Sequence, residues 1–498
     1  MRSVRVLLTP VQPMNQADQR EAGIPAITAA AKGSLTTQPS IGSWILLLML
    51  ATALAAPAQA DDDTAPNELV DAVVKLLHDD DVEVRGLALE QIRYFVPGEA
   101  ATRRFAAEVD HLVPAAQVGL LRALAERGDR AAHQAVLKHV RTGEDDSVRA
   151  AALFALARLG TRDDVALLVA QLASDRAVVV AAAREGLVDL AGPGVPETIA
   201  TALADTAPSV RAQMIYVLSD RRAIDTVPQI LEQARADDRE VRQAAMVALS
   251  WLASPVAVPD MVPALLAIQD RQERAAAEKA IMKICAKIAD RDEQARPLIA
   301  AMANLDEADR LALLSLMGRV GGAAAREEIE KAIASTDAKA RETGLKALSN
   351  WPSAAIAPRY LELIEEVEEP AHRRLMLRAL IRVAPLRDGR SHAERLELLR
   401  RAMSLATGDE ERRLALKRAA AIRDLQTLRF VVPYLDEAAL SEAAALAVVE
   451  LAHHRNLREP NKAEFHAALD KVIATSRDEV VLDRANRYKL DRTWVRPR

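Results

Sequence analysis

Cysteine is nearly absent. Cys285 stands alone in 498 residues, so no internal disulfide and no zinc site built on paired thiols can form. Aromatic residues are also scarce: four tryptophans, five tyrosines and five phenylalanines. Sandwiches and barrels, which lean on aromatic and β-branched side chains, are disfavoured by that shortage. Glycine is limited to 18 residues, too few for the loop-rich α/β enzymes. No charge sign dominates either. The formal net charge of −5 is too small and of the wrong sign for a generic nucleic-acid binder. What the chain does have is apolar content of 50%, carried mainly by alanine and leucine, alongside 28% charged residues. Many short amphipathic helices suit that mixture.

The N-terminal region has its own signature. Trp44-Ile45-Leu46-Leu47-Leu48-Met49-Leu50 opens an apolar run that lasts through Ala56. That is short for a membrane span but suits a signal-peptide core, and Ala58-Gln59-Ala60 follows as a cleavage signal. Cleavage would leave a mature chain beginning at Asp61, without a cysteine for lipid attachment. Removing residues 1–60 takes away four basic and two acidic residues. The expectation is an exported protein, periplasmic or extracellular. The long flank before Trp44, with Lys32 its nearest cation, keeps open a membrane anchor at residues 44–56 and a start codon set too early.

Internal repetition is the strongest signal beyond the leader. Segments resembling Asp-Asp-x-Val-Arg recur at Asp81-Val82-Glu83-Val84-Arg85, Asp145-Asp146-Ser147-Val148-Arg149 and Asp238-Arg239-Glu240-Val241-Arg242. Taking the arginine as anchor gives positions 85, 117, 149, 180, 211, 242, 274, 310, 341, 373, 412 and 441. Eight of the eleven intervals are 31 or 32 residues. Seven residues beyond each anchor stand Ile92, Leu124, Leu156, Leu187, Leu218, Leu249, Ile281, Met317, Leu348, Leu380, Ala419 and Val448, all apolar. The fourth position is apolar except at Arg184 and Glu278, and the tenth except at Arg127 and Arg221. Apolar residues at steps of four, seven and ten mark one face of an α-helix. A second apolar stretch precedes each anchor, so the unit reads helix, acidic turn, helix. Asp81, Asp238, Asp270, Asp306 and Asp337 each sit four residues before an anchor, where a carboxylate caps the second helix. The anchor arginine is then expected to pair with that acid or with its counterpart in the next unit.

The tandem Asp…Val-Arg, the trailing Ala155-Leu156-Ala157-Arg158-Leu159-Gly160 and the period near 31 resemble the HEAT repeat family, in its short bacterial form also called lyase HEAT-like repeats. The resemblance covers about residues 64–490. It implies an all-α, right-handed α-solenoid of about twelve helix-turn-helix units, with second helices lining a concave face and an Asp/Arg ladder between neighbours. The expected division is a leader at 1–60, regular repeats at 61–290, and repeats with longer connections plus a C-terminal cap at 291–498. Since no unit can cover its own apolar face, neighbours must stack.

Catalytic motifs are missing. Walker-type Gly-x4-Gly-Lys-Ser/Thr, H-E-x-x-H and G-x-S-x-G do not occur, and Gly318 with Gly321-Gly322 reads as a helix terminator. His453-His454, with Glu450, Glu464 and His466 nearby, is the one metal-like cluster. Adjacent histidines diverge by about 100° on a helix, which favours an ordinary inter-repeat loop. Cys285 beside Ile284 reads as a small buried hydrophobe. No enzyme activity, cofactor or metal is expected.

A function-bearing surface is sought instead at the fifth and ninth positions after each anchor, which face away from the packed side. Tyr94, Phe154, Tyr216 and Trp251 fall on the N-terminal half of this row. Lys279, Lys283, Arg319, Lys346, Arg378, Arg382 and Lys417 make its C-terminal half basic. Aromatics supply contact area and a charge stripe supplies steering. The expectation is a non-catalytic scaffold for protein or peptide partners and not for nucleic acid. Docking for an envelope enzyme and polysaccharide binding are the alternatives.

Overall fold

A computed structural model describes residues 65–495. The apolar run, the cleavage signal and the expected mature N-terminus lie outside the described residues. Among those described there is no strand, and no helix is long and apolar enough to cross a membrane. The chain forms two compact units, one ending at Glu108 and the other beginning at Val109.

In the first unit the helices Asn67–Leu77, Val82–Tyr94 and Glu99–Glu108 follow one another. Val73, Ala88, Ile92 and Phe105 are buried there. In the second unit the second helices of the repeat run Pro114–Arg127, Asp146–Leu159, Ala177–Asp189, Pro208–Asp220, Arg239–Leu252, Arg271–Cys285, Glu307–Val320, Ala338–Leu348, Pro370–Val383, Asp409–Ala419 and Ser441–Ala452. A first helix precedes each of the ten from Asp146–Leu159 onward, shorter or equal in all but one case, and consecutive second helices pack on each other. The unit is an all-α solenoid of helical repeats. A final pair, Lys462–Thr475 and Glu479–Lys489, closes it. That last helix buries Val481, Ala485 and Tyr488 and exposes Asp483 and Arg487, as an end cap needs.

The repeat register holds at atomic detail. All twelve side chains seven residues past the anchors have zero exposure. The five aspartates cap their helices as expected: Asp81 accepts from the Glu83 amide, Asp238 from Val241, Asp270 from Glu273, Asp306 from Asp309, and Asp337 from Lys339 and Ala340. Asp145 does the same for Ser147 and Val148. Where no side chain caps the helix, after Ala207 and after Glu369, proline opens it instead at Pro208 and Pro370, its fixed φ already helical and its lost N–H one that had no partner anyway.

The expected acid pairing holds at Arg412, which meets Glu437, four residues before the next anchor, at 2.9 Å, but most anchor arginines have a different role. Their guanidinium groups turn back to the last carbonyls of the preceding first helix. Arg149 donates to the Gly143 carbonyl at 2.6 Å, Arg242 to Ala236 at 2.9 Å, Arg341 to Ser335 at 3.0 Å and Arg373 to Val367 at 3.1 Å. In the first unit Arg85 closes Asp79 in the same way. The aspartate is already committed to amides at the helix start, so the arginine satisfies the carbonyls left open on the other side of the turn. A cross-unit ladder forms locally, where Arg242 meets the buried Glu273 at 2.8 Å and Arg239 meets Asp270 at 2.9 Å.

Gly318 also needs correcting. It lies inside Glu307–Val320, and a Cβ built there would come within 1.9 Å of the Ala347 carbonyl. Its use is close helix crossing. Termination falls to Gly321 and Gly322, at φ 78° and 88°.

Candidate partner-binding surface

None of the side chains at the fifth and ninth positions of the twelve repeats is buried, so the row is a surface, as the helical spacing requires. The four aromatics on it differ in setting. In the first unit Tyr94 ends its helix, 68% exposed, edge-on to Phe95. In the second unit Phe154 and Tyr216 are half-buried, with Arg158 over the first at 5.3 Å and Arg184 over the second at 5.9 Å. Trp251 is 66% exposed and carries the Lys283 ammonium on its ring face. Each of these three rings is thus partly covered by a cation from the protein itself.

The basic half of the row is more internally satisfied than its sequence suggests. Arg319 pairs with Glu278 at 2.6 Å, Lys346 with Glu342 one turn earlier, and Arg378 with Glu410 at 2.8 Å and Glu411 at 2.9 Å. Arg382 donates to the carbonyls of Ser349 at 2.9 Å and Trp351 at 2.6 Å, so it fastens one second helix to the next. Lys283 lies over Trp251, and burial together with the nearby Lys287 holds its pKa below the ordinary lysine value. Lys279 and Lys417 are exposed and have no ion-pair partner among the described residues. The steering field of this half is therefore weaker than a count of seven cations implies.

The largest concavity described lies along the N-terminal part of the same row. A groove of about 1350 Å³ runs across Pro114–Arg127, Asp146–Leu159, Ala177–Asp189 and Pro208–Asp220. Its apolar lining includes Val118, Ala150, Phe154, Val178 and Ala181. Its charged residues are Arg122 and Arg184 against Glu126, Asp175, Glu185, Asp189 and Asp220. Arg184 is spent on Asp220 at 2.8 Å, which leaves the rim acidic. Of the row's aromatics, Phe154 alone lines this groove.

A sequence signal for the groove existed. Arg184 breaks the apolar fourth position, and Ala177–Asp189 meets Pro208–Asp220 less closely than it meets Asp146–Leu159. A charged side chain at a stacking position cannot be buried against the next helix without a partner, so the seam opens and the cation turns to the rim. Glu278, the other exception, behaves likewise: it takes Arg319 across a similarly loose seam.

The remaining candidates make the following contacts. Among the described residues no group of histidine, cysteine and acidic side chains is placed to hold a metal. His453 bonds the Tyr488 hydroxyl at 2.9 Å, and Glu464 is held by Arg429 at 2.7 Å. Cys285 is fully buried, and burial pushes its thiol up to about 12.

A family model for HEAT repeats matches residues 195–282. No curated protein matches the chain. Among solved structures, the karyopherin Kap121p is 12% identical over 90% of this chain and 56% of its own, with a TM-score of 0.47. Kap95p, crystallised with RanGDP, is 12% identical over 90% and 66%, at 0.42. An engineered protein is 19% identical over 85% and 98%, at 0.25. The chain spans little more than half the length of Kap121p.

Proposed function

We propose that this chain is an exported, non-catalytic scaffold that captures extended peptide segments of partner proteins along the exposed face of its second helices. The observation that carries the reading is the groove across residues 114–220, with an apolar floor and an acidic rim. A floor of alanine, valine and Phe154 rewards small and medium apolar side chains by excluding water from both surfaces. Asp175, Glu185 and Asp189 favour Lys or Arg at the flanks of the same segment. The favoured ligand is therefore a short apolar peptide with basic ends. Trp251 and the cations Lys279 and Lys417 extend the available contact surface further along the row. Export is supported by the apolar run 44–56 and by Ala58-Gln59-Ala60.

Synthetic peptides test the groove directly. An apolar hexapeptide flanked by arginines should bind in fluorescence anisotropy, and its glutamate-flanked counterpart should bind at least about tenfold more weakly. Ala181 is exposed, so Ala181→Arg fills the groove without disturbing the stack and should abolish the binding. Equal affinity for the two peptides, or indifference to Ala181→Arg, would remove the proposal. Export is checked separately by the N-terminal sequence of the mature protein, expected to start at Asp61.

A further inference from the structure

Many arginines at the turns of the solenoid are spent. Arg390 is held by Asp388 at 2.8 Å, Arg418 by the Arg382 carbonyl at 2.9 Å, and Arg458 by the Ala452 carbonyl at 2.6 Å. Arg130, Arg222 and Arg291 are exposed singly, without such a partner among the described residues, whereas one place gathers several cations. Three successive connections between a second helix and the next first helix carry Arg387, Arg423 and Arg455, following Val383, Ala419 and Ala452. Arg387 and Arg423 are exposed, and among the described residues neither has a hydrogen-bond or ion-pair partner. The carboxylate nearest Arg455 is Glu459, at a loose 3.8 Å. A concavity of about 480 Å³ opens here, lined by Arg423, His453, His454, Arg455, Asn456 and Leu457.

His454 reports on the field inside it. Burial is the main cause that lowers its pKa, and Arg423, His453 and Arg387 add to the effect. Glu450 opposes them, but its carboxylate is already engaged by Arg484 at 2.6 Å. Arg423 and Arg455 stand beside this concavity with Glu459 as their one loose acid, and an anion from outside relieves their repulsion. Guanidinium forks match tetrahedral oxyanions two oxygens at a time. The volume suits a phosphate with a small substituent and is far too small for a peptide helix.

We propose that Arg423, His454 and Arg455, which line this concavity, form a binding site for a phosphate group, presented as free phosphate or as a phosphomonoester. The site stands apart from the groove over residues 114–220 and does not depend on its role.

Calorimetric titration of the full chain at low ionic strength tests it, with inorganic phosphate and glucose 6-phosphate as probes. At least one probe should bind; tighter binding of the ester would assign the substituent to the same concavity. The double variant Arg423→Ala/Arg455→Ala should weaken binding by more than about tenfold with an unchanged circular dichroism spectrum. Arg141→Ala, at an exposed position elsewhere, and Ala181→Arg should leave it intact. The His454 imidazole resonances should also move on addition of phosphate. Absence of heat and of that movement with both probes overturns the assignment. So does a double variant that binds like the parent, or a response that potassium chloride reproduces at equal ionic strength.

Discussion

Cys285 shows how completely one side chain's chemistry is set by the face of the helix it occupies. It falls eleven residues after the anchor Arg274, beside Ile281 and Ile284, and all three have zero exposure. Desolvation penalises the thiolate, and the thiol titrates at about 12. Below that value the thiol form dominates, so at pH 8 about one molecule in ten thousand would carry the nucleophile, even before access is considered. Iodoacetamide should therefore leave the native protein unlabelled at pH 8 and label it fully in guanidinium chloride, as read by intact mass. Rapid native labelling would mean that Arg271–Cys285 does not present this face to the core. The same reasoning separates Cys285 from a redox or catalytic cysteine, which needs a cationic and accessible setting.

At the scale of the helix, the devices that join consecutive repeats come from basic side chains that reach backward. Arg221 donates to the carbonyls of Leu187 and Val188 at 2.7 Å and of Leu190 at 2.9 Å, closing the end of the preceding second helix. Lys287 does so for Trp251 and Ala253, and Arg382 for Ser349 and Trp351. Burial lowers the pKa of Arg221 and the carboxylates of Asp189 and Glu197 oppose that, which is the signature of a cation drawn into a helix junction. Arg221→Met keeps the aliphatic stem but strips the donors. It should cost about 1.5–3 kcal/mol in urea unfolding and raise amide exchange at the C-terminal end of Ala177–Asp189. Unchanged exchange there would show the contact to be idle.

These joints also mark the limit of what the sequence discloses. The column of Ile92 through Val448 was legible because a buried stacking position tolerates one chemistry in every unit. The aspartate caps were legible for the same reason. The backward-reaching cations sit ten, thirteen and nine residues past their anchors, so they form no column, and Arg221 appeared simply as an exception to the apolar pattern. The anchor arginines were visible as residues but not as carbonyl donors, since a guanidinium flanked by acids in sequence gives no sign of which acceptor lies nearer. On the candidate surface, exposure followed from helical spacing alone. The engagement of Arg319, Arg378 and Arg382 did not, because their partners are 31 to 41 residues away. The phosphate cluster was hidden most deeply: its members come from two connections of unequal length, more than thirty residues apart.

At the scale of the second unit, a stack in which each repeat touches its neighbours should fail piecewise. Stability in such an array is a sum of repeat terms and nearest-neighbour interfaces. Leu218 has zero exposure in Pro208–Asp220, between Ala177–Asp189 on one side and Arg239–Leu252 on the other. Leu218→Asp places a carboxylate there without an acid-satisfying partner, a substitution worth more than about 4 kcal/mol. The penalty exceeds what one repeat can absorb but is small against the interfaces of the whole array. Urea unfolding should therefore turn biphasic, with a new early transition. Amide protection should fall over residues 177–252 and persist in Ser441–Ala452, many interfaces away. Val178→Asp, at a site 57% exposed one helix earlier, should leave a single transition. If Leu218→Asp instead strips protection from every helix at once, the second unit is one cooperative block and the nearest-neighbour account of its stability fails. If it changes nothing, the register on which the groove and the row are both drawn is wrong.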